Sequence, residues 1–309
     1  MKIISYNLNG IRAAVKKGFL EWLEASEADV VCIQETKAHQ EDIPVLELKA
    51  AGYEYYGLSA KKKGYSGVAI LTKRTPDKVV RGMGIEKYDN EGRFIRADFG
   101  KLSVVSVYHP SGTSGDERQA FKMQWLDDFQ QYVHALQKER PFLVLCGDYN
   151  ICHREIDIHD PVRNAKSSGF LPEERQWIDS FIKSGFTDSF RYINKDVKDA
   201  YSWWSFRANA RANNKGWRID YCMVSDAFKD RIVDAAIIPS AVHSDHCPIR
   251  YKKTNIDEKE NSLPIACVGS VAYGLCKLKE VCRTRTNKQQ VCKTALSNQD
   301  EPQRSPKQQ

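Results

Sequence analysis

The sequence predicts an α+β protein in which helices cover two packed, largely antiparallel or mixed β-sheets. Three observations point there. Short β-type runs alternate with amphipathic helical stretches up to about residue 253. Strand candidates often follow one another with no helix between them, as 94–99 leads straight into 102–108, which argues against a purely parallel βαβ arrangement. A chain of 309 residues with 41% hydrophobic content is also long enough to bury a sizeable core.

The first strand is expected over 2–6, in the run Lys2-Ile3-Ile4-Ser5-Tyr6. No basic start precedes a long apolar segment there, so no secretory leader is read and a cytoplasmic address is expected. No stretch approaches the roughly 20 apolar residues of a membrane span, so no membrane partner is expected. A helix over 18–26 leads to a strand at 30–33, Val30-Val31-Cys32-Ile33. Strands at 67–72, 94–99 and 102–108 follow. The longest helix is expected over 117–137, where Phe121, Trp125, Phe129, Tyr132, Val133 and Leu136 recur every three to four residues and mark one buried face. A strand at 142–146, a helix at 172–184 and strands at 218–224, 232–238 and 249–251 complete the series.

After Tyr251 the character changes. Residues 257–309 lose periodicity, carry nine Lys/Arg against six Asp/Glu, and read as a largely disordered extension to a domain spanning 1–256. Four of the nine cysteines fall in this tail, at Cys267, Cys276, Cys282 and Cys292, without the paired knuckles of a zinc site. The other five are scattered, several inside apolar runs, and read as buried reduced thiols. The net charge of +7 is compatible with a polyanionic partner but does not demand one.

The chemistry is signalled by polar residues that stop apolar strands. Val31-Cys32-Ile33 runs into Gln34-Glu35-Thr36-Lys37, and Leu143-Val144-Leu145-Cys146 into Gly147-Asp148-Tyr149-Asn150. Trp217-Arg218-Ile219 runs into Asp220-Tyr221, and Ser244-Asp245-His246-Cys247-Pro248 precedes the last strand. Strand ends gather on one edge of a sheet, so Asn7, Asn9, Glu35, Asp148, Asn150, Asp220, Asp245 and His246 can converge on one cleft. Oxygen-rich donors with few nitrogens and no thiolate suit a hard cation, Mg²⁺ or Mn²⁺, and such ions typically work on phosphate oxygens. A strand-end Asp or Glu taken alone is more often a turn former or helix cap than a ligand, and a lone His before a strand is equally a structural residue. The combination carries the inference.

These strings, in this order, resemble the exonuclease III family of AP endonucleases, within the wider endonuclease/exonuclease/phosphatase superfamily. The matching stretches include Asn7-Leu8-Asn9-Gly10-Ile11-Arg12, Gln34-Glu35-Thr36-Lys37, Gly64-Tyr65-Ser66-Gly67-Val68-Ala69 and Gly92-Arg93-Phe94. Tyr108-His109-Pro110, Gly147-Asp148-Tyr149-Asn150, Glu155-Ile156-Asp157 and Gly169-Phe170 with Glu173-Glu174-Arg175 continue it. Gly216-Trp217-Arg218-Ile219-Asp220-Tyr221 and Ser244-Asp245-His246-Cys247-Pro248 close it, so the resemblance covers about 1–251.

The resemblance implies a four-layered α/β sandwich and a monomeric base-excision-repair nuclease acting on nucleoid DNA. Its implied reaction is metal-dependent hydrolysis of the phosphodiester 5′ to an abasic site, with 3′→5′ exonuclease and 3′-phosphatase or phosphodiesterase activity on 3′-blocked duplex DNA. It implies Glu35 as the principal Mg²⁺ ligand, with Mn²⁺ as substitute, and Asn7, Asn9 and Asp245 near the cation. Asp148 is similar to the carboxylate that activates or orients water, and Asn150 to the amide that positions it. His246, oriented by Asp220, would hold a phosphate oxygen beside the metal, and Tyr108 would stabilise the leaving group. Lys61-Lys62-Lys63-Gly64-Tyr65 resembles a loop that grips the DNA backbone. Trp204 and Trp217 would wall a pocket for a flipped-out abasic sugar, with Asn164 and its small polar neighbours beside it.

Two other readings stay open on the residues alone. A phosphatase for inositol lipids, a sphingomyelinase or a non-specific nuclease like deoxyribonuclease I shares the Glu, Asp-x-Asn and Asp-His elements; the 216–221 string and the Trp203-Trp204 pair favour the repair enzyme. A catalytically silent DNA-binding module would need a broken site, and every principal position is intact.

Overall fold

Strands that are buried on both faces read as apolar runs, and Val30–Gln34, Val68–Thr72 and Phe142–Asp148 are of that kind up to their polar ends. The computed structural model describes residues 1–254; the extension expected over 257–309 and the boundary at 256 lie outside the described residues. In chain order the strands are β1 (Lys2–Asn7), β2 (Val30–Gln34), β3 (Glu54–Leu58), β4 (Val68–Thr72), β5 (Lys78–Arg81) and β6 (Phe94–Phe99). They continue with β7 (Leu102–Tyr108), β8 (Phe142–Asp148), β9 (Phe186–Asp188), β10 (Asp220–Ser225), β11 (Ile232–Ile237) and β12 (Ile249–Lys253). They form two mixed six-stranded sheets, ordered β11-β12-β1-β2-β4-β3 and β5-β6-β7-β8-β10-β9. In each sheet the central pair is parallel, β1 with β2 and β7 with β8, and the remaining pairs are antiparallel.

Alternate residues of one strand face opposite ways, and that alternation builds the layers. Ile3, Val30, Cys32, Val68 and Ile70 of the first sheet pack against Ala97, Val104, Val144, Cys146 and Val224 of the second. Their neighbours point outward: Ile4, Val31, Ile33 and Leu71 meet Phe19 and Leu23 of the helix Phe19–Ser26. On the other side Val105, Val107, Leu145 and Met223 meet Trp125, Phe129 and Val133 of the helix Asp116–Glu139, and Ile178 and Phe181 of the helix Pro172–Lys183. The result is four layers, helices–sheet–sheet–helices, as expected.

One end of this sandwich is fastened by buried polar groups. Gln34 donates to Ser106 Oγ across the sheets at 3.0 Å, and Ser106 donates to the Ile33 carbonyl at 2.8 Å. Ser5 donates to Gln34 Oε1 at 3.3 Å. These bonds tie the end of β2 to β1 and β7, with Ser5 and Ser106 each two residues before the last residue of their strands.

Strands β3, β5 and β9 are absent from the sequence reading, and all three lie at sheet edges. β3 and β5 carry half-exposed or charged residues and β9 is only three residues long, so they lack the apolar run that marks an interior strand; β11, also at an edge, keeps one. The short helices Ile11–Val15 and Val45–Ala50 escape for a similar reason: one or two turns give too little periodicity to detect.

Candidate active site

The topology explains why residues so distant in sequence meet. In the second sheet Tyr108, Asp148 and Asp220 are register partners across β7, β8 and β10, so they form one row at the sheet's end. In the first sheet Asn7 pairs with Gln34, which places Glu35 one residue beyond the same edge. Strand β12 runs antiparallel to β1, so the loop before it returns Asp245 and His246 to that edge. Gly147 is required beside this row: a Cβ there would lie 2.0 Å from the Val107 carbonyl oxygen.

The contacts are dense. Asn7 Nδ2 donates to Glu35 Oε1 and to Asp148 Oδ2, both at 2.9 Å, bridging the two sheets. The Asn9 amide nitrogen donates to Asn7 Oδ1 at 2.9 Å, and Asn9 Nδ2 donates to Asp245 Oδ1 at 2.9 Å. Trp203 Nε1 donates to Asp245 Oδ2 at 3.0 Å. Asp148 Oδ1 accepts from the Asn150 amide at 2.8 Å, while Asn150 Nδ2 donates to the His109 carbonyl at 2.9 Å. His246 Nδ1 faces Asp220 Oδ2 at 3.0 Å, and its Nε2 stands 3.8 Å from Asp148 Oδ2. Ser202 Oγ accepts the amides of Ile219 and Asp220, each at 3.1 Å, which fixes the backbone that carries Asp220.

Charge follows this geometry. Burial opposes protonation of His246, but the Asp220 carboxylate beside it outweighs that and pushes the imidazole up to about 10. Burial also raises the Asp148 carboxyl, and the His246 cation draws it back. For Glu35, burial is outweighed by the Lys37 ammonium and the Asn7 amide, so its value falls below the ordinary one. Burial and the adjacent Glu35 carboxylate hold the Tyr108 phenol well above its usual range, so it is a proton donor and not a base.

Glu35, Asp148 and His246 each offer one ligand atom, and these atoms lie within 4.8 Å of one another. The two carboxylates suit a divalent ion, while His246, held cationic by Asp220, stands beside them as a donor. The remaining expected ligands stand around this trio through hydrogen bonds: Asn7 to Glu35 and Asp148, Asn9 to Asp245, and Asn150 to Asp148. Lys37, which the sequence reading passed over, donates from Nζ to Glu35 Oε2 at 2.7 Å and to Asn9 Oδ1.

Beside the trio opens a cleft of about 760 Å³, lined by Glu35, Tyr108, Asp148, Asn150, Asp245 and His246, by Lys166 to Gly169, and by Trp203, Trp217 and Ile219. Trp217 lies where the sequence placed it. Trp204 does not: it is buried with Tyr201, Ala210 and Cys247, and its indole donates to Asn214 Oδ1 at 3.1 Å. Trp203 takes the wall instead, bridged in extended geometry to Trp217 and His246. Of two adjacent residues in extended backbone only one can face the cleft, and the doublet does not say which. Asn164 is also off the wall; its Nδ2 donates to the carbonyls of His159 and Asp160, so it closes its own turn.

Lys61, Lys62 and Lys63 are exposed and lie outside the cleft lining, with Lys62 Nζ 5.5 Å from the Tyr65 ring centroid. Tyr65 Oη accepts from Arg93 at 2.9 Å and Arg118 at 2.8 Å, anchoring the loop to the protein.

A model of the endonuclease/exonuclease/phosphatase family matches residues 4–246. The chain is 43% identical over 250 residues to an exodeoxyribonuclease of Bacillus subtilis, covering 81% of this chain and 98% of that one. It is 40% identical over 252 residues to a DNA-(apurinic or apyrimidinic site) endonuclease of Dictyostelium discoideum, covering 81% and 69%. Among solved structures, a Neisseria 3′ phosphatase bound to a product DNA hairpin superposes with a TM-score of 0.77 at 27% identity, covering 82% of this chain and 99% of that one.

Proposed function

Because the chain belongs to the endonuclease/exonuclease/phosphatase family, and within it is of the exonuclease III type, we propose that it is a metal-dependent nuclease of DNA base-excision repair. Its reaction is hydrolysis of the phosphodiester 5′ to an abasic sugar, with 3′→5′ exonuclease and 3′-phosphatase activity at the same centre. The observation that carries this reading is the meeting of Glu35, Asp148 and His246 at the mouth of a cleft walled by Trp203 and Trp217.

Glu35 and Asp148 would hold the cation, Mg²⁺ by preference and Mn²⁺ as substitute, with His246 beside them. Such an ion neutralises phosphate charge and lowers the barrier to attack by water. The protein's own groups do the rest. Asp148 would accept the proton of the attacking water, and Asn150 would orient that water from the adjoining turn. His246, kept cationic by Asp220, donates to a phosphate oxygen as charge builds on it. Tyr108, kept protonated, can donate to the departing oxygen. Water adds to phosphorus as the P–O3′ bond breaks, leaving a 3′-hydroxyl and a 5′-deoxyribose phosphate.

The substrate we propose is duplex DNA with an abasic or 3′-blocked site. An extruded sugar without a base fits between Trp203, Trp217 and the small residues Ser167 to Gly169, and extrusion is cheapest when the base is missing. Lys61, Lys62, Lys63 and Tyr65 would follow the backbone. We take the working species to be a monomer in the cytoplasm, acting on nucleoid DNA. The described cysteines are free and buried, which suits a reducing compartment, and among the described residues no helix is long and apolar enough to cross a membrane.

The test is a parallel assay of three end-labelled duplexes, abasic, 3′-phosphorylated and intact, with Mg²⁺ or EDTA and with an inositol phosphate as control. Metal-dependent incision of the abasic strand is expected. Turnover of the inositol phosphate with none of the DNA would overturn the reading.

A further inference from the structure

Under the Asp148–Asn150 turn lies an ion pair shut off from water. Lys122 comes from the helix Asp116–Glu139 and Glu174 from the helix Pro172–Lys183; neither side chain has exposed surface, and Nζ stands 2.5 Å from Oε1. Desolvating two charges is costly, and apolar residues of like volume pack such a place as well, so stability alone does not explain the pair. Its hydrogen bonds suggest another role.

Glu174 gathers every acceptor site it has. Oε1 takes Gln119 Nε2 at 3.1 Å and Ser168 Oγ at 3.5 Å besides Lys122; Oε2 takes the amides of Gly169 at 2.6 Å and Leu171 at 3.0 Å. The carboxylate therefore fixes the segment that forms one wall of the cleft. Lys122 reaches the other way, donating to the Asn150 carbonyl at 2.8 Å. Asn150 holds the left-handed conformation at φ 52°, which asparagine adopts more readily than other L-residues, and the Lys122 bond to its carbonyl fixes it there. Its side-chain direction toward Asp148 depends on that backbone.

We propose that Lys122 and Glu174 are positioning residues that lock the Asn150 backbone and the Ser168–Leu171 wall to a single spacing, so that the water-orienting amide and the sugar pocket stay aligned. The inference rests on the reading of Asp148 and Asn150 as the water-orienting pair.

The experiment compares full-length Lys122→Met, Glu174→Gln and the double variant with wild type, measuring thermal midpoint, kcat and KM on an abasic duplex. Each single variant strands a buried charge or donor and lowers the midpoint. The double variant, uncharged on both sides, recovers the midpoint while kcat stays down about tenfold to a hundredfold, because the Asn150 carbonyl has lost its anchor. The loss falls on kcat more than on KM, since no residue that lines the cleft is replaced. A double variant that regains wild-type kcat along with its midpoint overturns the proposal. Should the double variant not fold, Glu174→Asp keeps both charges and shortens the reach by one methylene. A folded Glu174→Asp is expected to lose kcat severalfold, and wild-type kcat there also overturns it. Asp148→Asn run alongside separates the two readings: if it too keeps turnover, the assignment of the water-orienting pair fails and not merely its support.

Discussion

Asn9, Glu35, Lys37 and Asn150 all adopt left-handed backbone, at φ 48°, 52°, 47° and 52°, and none is glycine. Such residues cost up to about 1–3 kcal/mol each, and here Lys37 bonds to Asn9 and Glu35 while Lys122 holds the Asn150 carbonyl. The oxygen donors among them were legible as polar stops after apolar runs. Lys37 was not, because a lysine beyond a strand end looks like any solvated charge; only the fold shows its contact with Glu35. At this scale the first prediction is that Asp148→Ala lowers kcat by about a thousandfold or more while duplex binding, read by fluorescence anisotropy, survives. The second separates the tryptophan doublet. Trp203→Ala should erode the preference for abasic over intact duplex with little change in thermal midpoint. Trp204→Ala should instead cost about 3–5 kcal/mol of stability, measured by denaturant unfolding, because its indole is buried beneath Gly216 and Arg211.

Between elements, the most telling device is the carboxylate of Asp157, which follows β8 in a short helical turn. Arg218 grips it through Nε at 2.7 Å and Nη2 at 3.0 Å, Arg191 adds a second guanidinium, and Arg218 also reaches Asp188 at 2.8 Å. This knot holds Trp217 and Asp220 at the cleft from behind, a role the string Glu155-Ile156-Asp157 did not disclose, because its partners are 34 and 61 residues away. Burial works against ionisation of Asp157, but the two guanidiniums outweigh it and set its value below the ordinary 3.8. A depressed carboxylate contributes stability that is fully present above its unfolded value and drains away as pH falls toward the folded one. Stability should therefore drop as pH falls below about 4, where the unfolded carboxylate takes up its proton. Asp157→Asn should lie about 3–5 kcal/mol lower at neutral pH and show a shallower loss over the acid range, read from midpoints against pH. An unchanged acid profile in the variant would remove the knot from the explanation. Interior strands and long helices were legible because burial writes an apolar run or a three-to-four repeat; the edge strands β3, β5 and β9 and the one-turn helices carry neither mark, whereas the edge strand β11 keeps enough apolar residues to be read.

At the scale of the two sheets, an apolar interior is fastened at one end by polar groups, and that end carries the cluster of Glu35, Asp148 and His246. The sequence could say that strands end in polar residues; it could not say that two different sheets end together, since that depends on β12 returning beside β1 and β10 beside β8. All of the candidate site lies within the first 254 residues. A chain ending at residue 256 should accordingly keep its thermal midpoint and incise abasic duplex within about threefold of the full chain, a difference smaller than one ordinary contact is worth. Loss of incision on truncation would assign the remaining residues a catalytic part. The central claim is that carboxylates supplied by both sheets bind one divalent centre on which cleavage depends, and Mn²⁺ titration by electron paramagnetic resonance addresses it most directly, with abasic cleavage followed in the same samples. Glu35→Gln should weaken Mn²⁺ binding about tenfold or more and move the metal requirement for cleavage by the same factor. Unaltered Mn²⁺ affinity in that variant, or wild-type cleavage that persists in EDTA, would contradict it.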